Sequence, residues 1–179
     1  MAVQGRPEPA PGLLRRLDSA ARAAFPATGT VILVLFAAGL PGMPSLMPAI
    51  TLASVFFWTI FRPAAMSAPV VFLLGLLQDL LGFGPLGIAV LVLLLAHAGT
   101  LRIRRLLAKQ SFLVVWLAFL GVAVVAVALG YALHALLGWR VPPPAMAATQ
   151  LALAAGLYPI LAWPLSRAHR AMARAEALA

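Results

Sequence analysis

The chain has no cysteine and only four acidic residues in 179. Without cysteine there are no disulfides, no thiolate metal sites and no cysteine nucleophile. With so few acids, carboxylate chemistry has little to draw on. Charged residues of both signs make up only 9% of the chain, whereas hydrophobic residues make up 64%. A soluble domain is about 25% charged and about 45–50% apolar. A fold of this size could not hide so much apolar surface from water, so lipid must cover it. The net charge of +9 would suggest nucleic acid in a soluble protein. Here the basic residues sit between apolar stretches, so topology and anionic lipid explain them, and nucleic acid is not expected as a partner.

What is present is a series of apolar segments. Residues 1–24 form a basic tail with a Pro/Gly-rich start. Within it Leu13, Leu17, Ala20 and Ala24 fall at helical spacing and the arginines elsewhere, which predicts a short amphipathic helix on the membrane surface. A cleavable signal peptide is the rival reading, but its charged region would be unusually long and no small-x-small site follows. Six spans are then expected, from Phe25 to Leu40, Ser45 to Phe61, Met66 to Leu81, Pro85 to Leu101, Ser111 to Gly138 and Ala145 to Ser166. Pro41-Gly42-Met43-Pro44, Arg62-Pro63 and Gly82-Phe83-Gly84-Pro85 mark the first three turns. Arg102, Arg104, Arg105 and Lys109 are read as a basic loop, and residues 167–179 as a second basic tail. Strands are excluded, because open sheet edges cannot face lipid. The fold class expected is an all-α membrane protein whose transmembrane domain covers residues 25–166.

Twelve of the thirteen Lys and Arg residues fall on one side if the ends are cytoplasmic and six helices alternate; only Arg140 falls on the other. The positive-inside rule therefore predicts six spans with both termini in the cytoplasm.

Few residues could carry chemistry. Glu8, Asp18 and Glu176 lie in the tails. Asp79 lies in an apolar segment, where a carboxylate at mid-bilayer costs about 2.5–3.5 kcal/mol. Its place near the break at Gly82 lowers that cost. Two readings stand: Asp79 caps the next helix start, whose free N–H groups attract an anion, or it makes a polar contact to a partner or substrate. Gly75, Asp79 and Gly82 share one helix face, where small residues let another helix approach. Thr51, Ser54, Tyr131, His134 and Gln150 are expected at the depth of Asp79, with His134 its best polar partner. Thr59, His97 and Thr100 are expected toward the other side. Trp58, Trp116, Trp139 and Trp163 are read as interfacial anchors. No H-E-x-x-H, phosphate-binding glycine loop or dinucleotide fingerprint is present. A Ser54–His134 dyad fits in depth but lacks a nucleophile-elbow context. No cofactor, metal or enzymatic activity is expected.

The stretch Trp58 … Arg62-Pro63 … Gly75 … Gln78-Asp79 … Gly82 … Pro85-Leu86-Gly87 resembles the central signature of the MreD family of bacterial rod-shape-determining membrane proteins. The likeness is sharpest over residues 58–87. The family usually has tyrosine before the tryptophan, where this chain has Phe57. The resemblance implies a non-enzymatic scaffold of the cell-wall elongation complex in the bacterial inner membrane. It implies binding of the MreC membrane helix, in a complex with the actin-like MreB, the glycosyltransferase RodA and a class B penicillin-binding protein. It also implies a fold similar to the substrate-binding subunits of energy-coupling-factor transporters. A small-molecule-binding subunit of such a transporter is therefore the alternative function, with Thr51, Asp79, His134 and Gln150 as its pocket.

Overall fold

The computed structural model describes residues 13–82, 84–138 and 141–177, with side chains from residue 24 to residue 174. Residues 1–12, Phe83, Trp139, Arg140 and residues 178–179 lie outside the described residues, as does the apolar face expected on Leu13 to Ala20. Among the described residues the structure is all α: α1 (Leu13–Ala38), α2 (Leu46–Phe61), α3 (Ala68–Leu81), α4 (Ile88–Leu107), α5 (Phe112–Leu137) and α6 (Pro144–Ala177).

α2 sits at the centre. It carries no charged residue, and every side chain from Ala49 to Ile60 is buried. A helix that is apolar all round belongs in a core, and α2 touches all five other helices. α3, α4, α5 and α6 pack in sequence around it, each on the next through α3–α4, α4–α5 and α5–α6 contacts, and α1 packs on its remaining side. At about 1.5 Å per residue, α2 and α3 are about 24 and 21 Å long, short of the ~30 Å hydrocarbon layer. α5 and α6 are long and apolar enough to cross a membrane. An aromatic cluster joins α2, α5 and α6: Phe119 stacks on Tyr158 at 4.3 Å, and Phe56 meets both edge-on at 5.2 and 5.7 Å.

Three expectations need correction. The amphipathic segment and the first span form one helix, α1, which runs through Pro26 without a break. Arg102, Arg104 and Arg105 are not in a loop; they form the last turns of α4, which ends at Leu107. Arginine and leucine are good helix formers, and cations at a helix C-terminus oppose the macrodipole. Likewise α6 does not stop at Ser166 but continues to Ala177. There Ala168 and Met172 pack on the core, and the His169 ring lies tilted against Phe61 at 5.5 Å.

The tryptophans also differ from expectation. Trp58 is 1% exposed and packs edge-on against Phe25 and Phe57. It is a core residue because α2 is enclosed on every side. Trp116 is held inward too. Pro159, inside α6, has no N–H to give the carbonyl four residues back. That carbonyl belongs to Ala155, and the Trp116 indole N–H donates to it at 3.1 Å. Only Trp163, 63% exposed, has the setting of an anchor among the described tryptophans.

Candidate functional site: the Asp79 corner and the cavity beside it

The corner between α3 and α4 is built by two residues one helical turn apart. At Gly75 the two helices nearly touch: a Cβ there would lie 2.6 Å from the Cα of Val90 and 2.9 Å from its nitrogen. Only glycine permits that approach. One turn further on, the closeness brings the Asp79 carboxylate onto the start of α4. Gly87 occupies the N-cap position with φ +95°, a left-handed conformation that favours glycine. Lacking a side chain, Gly87 cannot cap its own helix. Asp79 caps it from α3 instead. The Gly87 N–H donates to Oδ2 at 2.8 Å, the Ala89 N–H to Oδ1 at 2.9 Å, and the Val90 N–H to Oδ2 at 3.3 Å. The carboxylate is buried, and the helix N-terminus supplies the positive end that an intramembrane acid needs.

The other signature residues divide by place. Gly82 ends α3 in extended conformation; a Cβ there would meet only carbonyls of its own helix, Gln78 at 3.1 Å and Asp79 at 3.8 Å. Pro85 lies in the turn before Gly87, so α4 begins at Ile88 rather than at Pro85. Trp58, Arg62 and Pro63 are at the opposite end of α3, where the Arg62 N–H closes α2 on the Trp58 carbonyl at 2.7 Å. The contiguous signature is thus two sites separated by the length of α3.

Beside the corner lies an open cavity of about 460 Å³. Gln78, Asp79, Tyr131, His134, Met146 and Gln150 line it, at the end of the bundle that holds the α3–α4 and α5–α6 turns. His134 does not bond to Asp79. Its Nδ1 lies 2.8 Å from the Gly130 carbonyl, and its Nε2 lies 3.1 Å from where a Cβ on Gly84 would be. A carbonyl only accepts, so Nδ1 carries the proton of that bond. The Tyr131 hydroxyl donates to the Pro142 carbonyl at 2.9 Å.

Thr51 is fully buried, donates to the Met47 carbonyl at 2.8 Å, and does not line the cavity. Ser54 is also fully buried, with no hydrogen-bond partner for its hydroxyl, so it forms no dyad with His134. At the other end Thr59 and His97, of similar expected depth, do meet, with Oγ1 and Nδ1 2.9 Å apart. Spacing on each helix fixes depth; the packing angle that pairs Thr59 with His97 and parts Asp79 from His134 is not in it.

No group of three or more His, Asp or Glu that could hold a metal occurs among the described residues. No curated protein and no solved structure matches the chain. One family model does, described as rod shape-determining protein MreD, and it matches residues 27–165. That span takes in both signature sites, the enclosed α2 and the Gly75–Asp79–Gly87 corner. With its sequence, its helices and most of its length thus accounted for, the chain belongs to the MreD family of rod shape-determining membrane proteins.

Proposed function

We propose that the chain is a non-enzymatic scaffold of the cell-wall elongation complex, which holds the single membrane helix of an MreC-type partner alongside MreB, RodA and a class B penicillin-binding protein. The observation that carries this reading is the state of Asp79. It is the one acid within the six apolar segments, and both its oxygens are taken by backbone N–H groups of α4. A carboxylate so engaged fixes two helices against each other; it is not offered to a substrate as an acid or base. Family membership supports a role in rod shape. We place the chain in the bacterial inner membrane with six crossings and both ends cytoplasmic, from the distribution of its basic residues. The short α2 and α3 then call for local thinning of the bilayer or cover by a partner helix. A transport-subunit reading gains nothing from the family match.

Co-purification from a mild detergent tests the scaffold. A single-span protein with a coiled-coil external part should come down with the chain. Recovery of ATPase subunits in its place would overturn the reading.

A further inference from the structure

We propose that the outward face of the last turns of α6 is a binding site for anionic phospholipid headgroups, formed by Trp163, Arg167, Arg170 and Arg174. These residues are spaced four, three and four apart, so they form one stripe along the helix. All four are exposed. The stripe continues an apolar face, since Ala152, Gly156 and Ile160 are exposed at the same spacing above it. Ile160 is 66% exposed and Trp163 63%. In a membrane protein that upper face meets acyl chains, so the arginines directly below it meet the headgroups of the same lipids. An acidic protein in the cytosol would approach the end of the bundle, not its flank.

The geometry of the stripe suits the headgroup layer. Arg167 lies about 6 Å below Trp163 along the helix, Arg170 about 10 Å and Arg174 about 16 Å, on 1.5 Å per residue, so Arg167 and Arg170 are nearest the headgroups and Arg174 marks their outer edge. The headgroup region adds about 5–8 Å on each side of the hydrocarbon. Long arginine side chains can reach back to it. The Arg167 guanidinium carbon sits 4.9 Å from the centre of the Trp163 ring, which orients the fork and leaves its N–H edge for a phosphate.

The site is also held in place. Met172 is buried on the other side of the same turns, so the stripe is fixed to the bundle rather than carried on a loose tail. Among the described residues no carboxylate pairs with Arg167, Arg170 or Arg174. The chain has four acids against thirteen Lys and Arg residues, and Asp79 is at the far end of the bundle. The arginines lie beyond the matched residues 27–165, so the family match does not itself assign them a role.

The proposal rests on the chain being embedded in lipid but not on its scaffold role, and the test separates the two. The full chain, purified in neutral detergent, is titrated with phosphatidylglycerol and, separately, with phosphatidylcholine, and bound lipid is counted by native mass spectrometry. Phosphatidylglycerol should bind and phosphatidylcholine should not. Each arginine is expected to contribute about fivefold, so R167Q/R170Q/R174Q should weaken binding on the order of a hundredfold. R102Q/R104Q/R105Q removes the same charge from α4 and should bind nearly as the parent does. Both triple variants change exposed or half-exposed side chains, and thermal unfolding checks that they fold. Equal loss in the two variants would mean attraction by net charge alone and overturn the site. So would unchanged binding in the α6 variant, or displacement of the lipid by millimolar inorganic phosphate. Retained lipid with loss of an acidic protein partner would reassign the stripe to that partner. Co-purification of the single-span protein with the α6 variant reads the scaffold independently.

Discussion

Asp79 makes three hydrogen bonds with two oxygens, and that division decides what substitution does. Asparagine has one acceptor oxygen. Placed at Oδ2 it keeps the bonds from Gly87 and Val90, but its NH₂ then faces the Ala89 N–H, donor against donor. Leucine keeps none and leaves all three N–H groups without a partner. An unpaired buried donor costs about 1–3 kcal/mol. Asp79→Asn should therefore lower stability by about that amount, and Asp79→Leu by clearly more; thermal unfolding in detergent, read beside partner pull-down, measures both. If Asp79→Asn were as stable as the parent and bound its partner yet failed in cells, the charge itself would be required and the capping account would fall. Gly75 acts on the same contact. Gly75→Ala pushes a methyl group into the Val90 backbone, and overpacking of that kind costs about 1–3 kcal/mol. Because it also draws Asp79 away from α4, Gly75→Ala and Asp79→Leu together should cost less than the sum of the two. Full additivity in that double-mutant cycle would show the sites to be independent.

At the scale of elements, α6 shows how a helix breaker is accommodated. Pro159 leaves the Ala155 carbonyl without its helical partner, and Trp116 of α5 supplies one. In hydrocarbon an unsatisfied carbonyl has no water to turn to, so such a bond fixes α5 against α6. Trp116→Phe keeps the ring and loses the donor, and should cost about 1 kcal/mol. Pro159→Ala restores the backbone N–H to Ala155, so Trp116→Phe made in that background should cost measurably less. An equal cost in both backgrounds, again by thermal unfolding, would show that Trp116 acts through packing alone. The same helix outlasts its apolar stretch by three turns because Ala168, His169 and Met172 still find the core to lie on.

For the whole molecule the question is which side each end faces. If the six helices cross in alternation, twelve basic residues fall on one side and one on the other. Reporter fusions after Lys109 and after Arg174 should read cytoplasmic, and one near Pro143 external. A cytoplasmic reading at Pro143 would overturn the six-span arrangement. The cavity lined by Asp79, His134 and Gln150 lies at the end holding the α5–α6 turn, so the same fusions say which compartment it opens to.

Much of this was legible from residue order alone. Hydropathy and turn residues mark six helices, since each backbone must satisfy its own hydrogen bonds in lipid. The Trp58-to-Gly87 stretch points to the family that the match to residues 27–165 establishes. An acid one turn before a Gly-x-Gly-Pro break offers a cap as one of two readings, because spacing along a chain determines depth and the chemistry of helix ends is local; the structure chooses the cap. Azimuth is another matter. That α2 is enclosed, that Trp58 is core and Trp116 completes α6, and that His134 turns to Gly130 while Thr59 finds His97 all depend on how helices rotate against their neighbours. The same holds for the helical course of Arg102 to Arg105 and of Arg167 to Arg174. Polar composition marks where the hydrocarbon ends, but a helix ends only where its packing and its hydrogen bonds do.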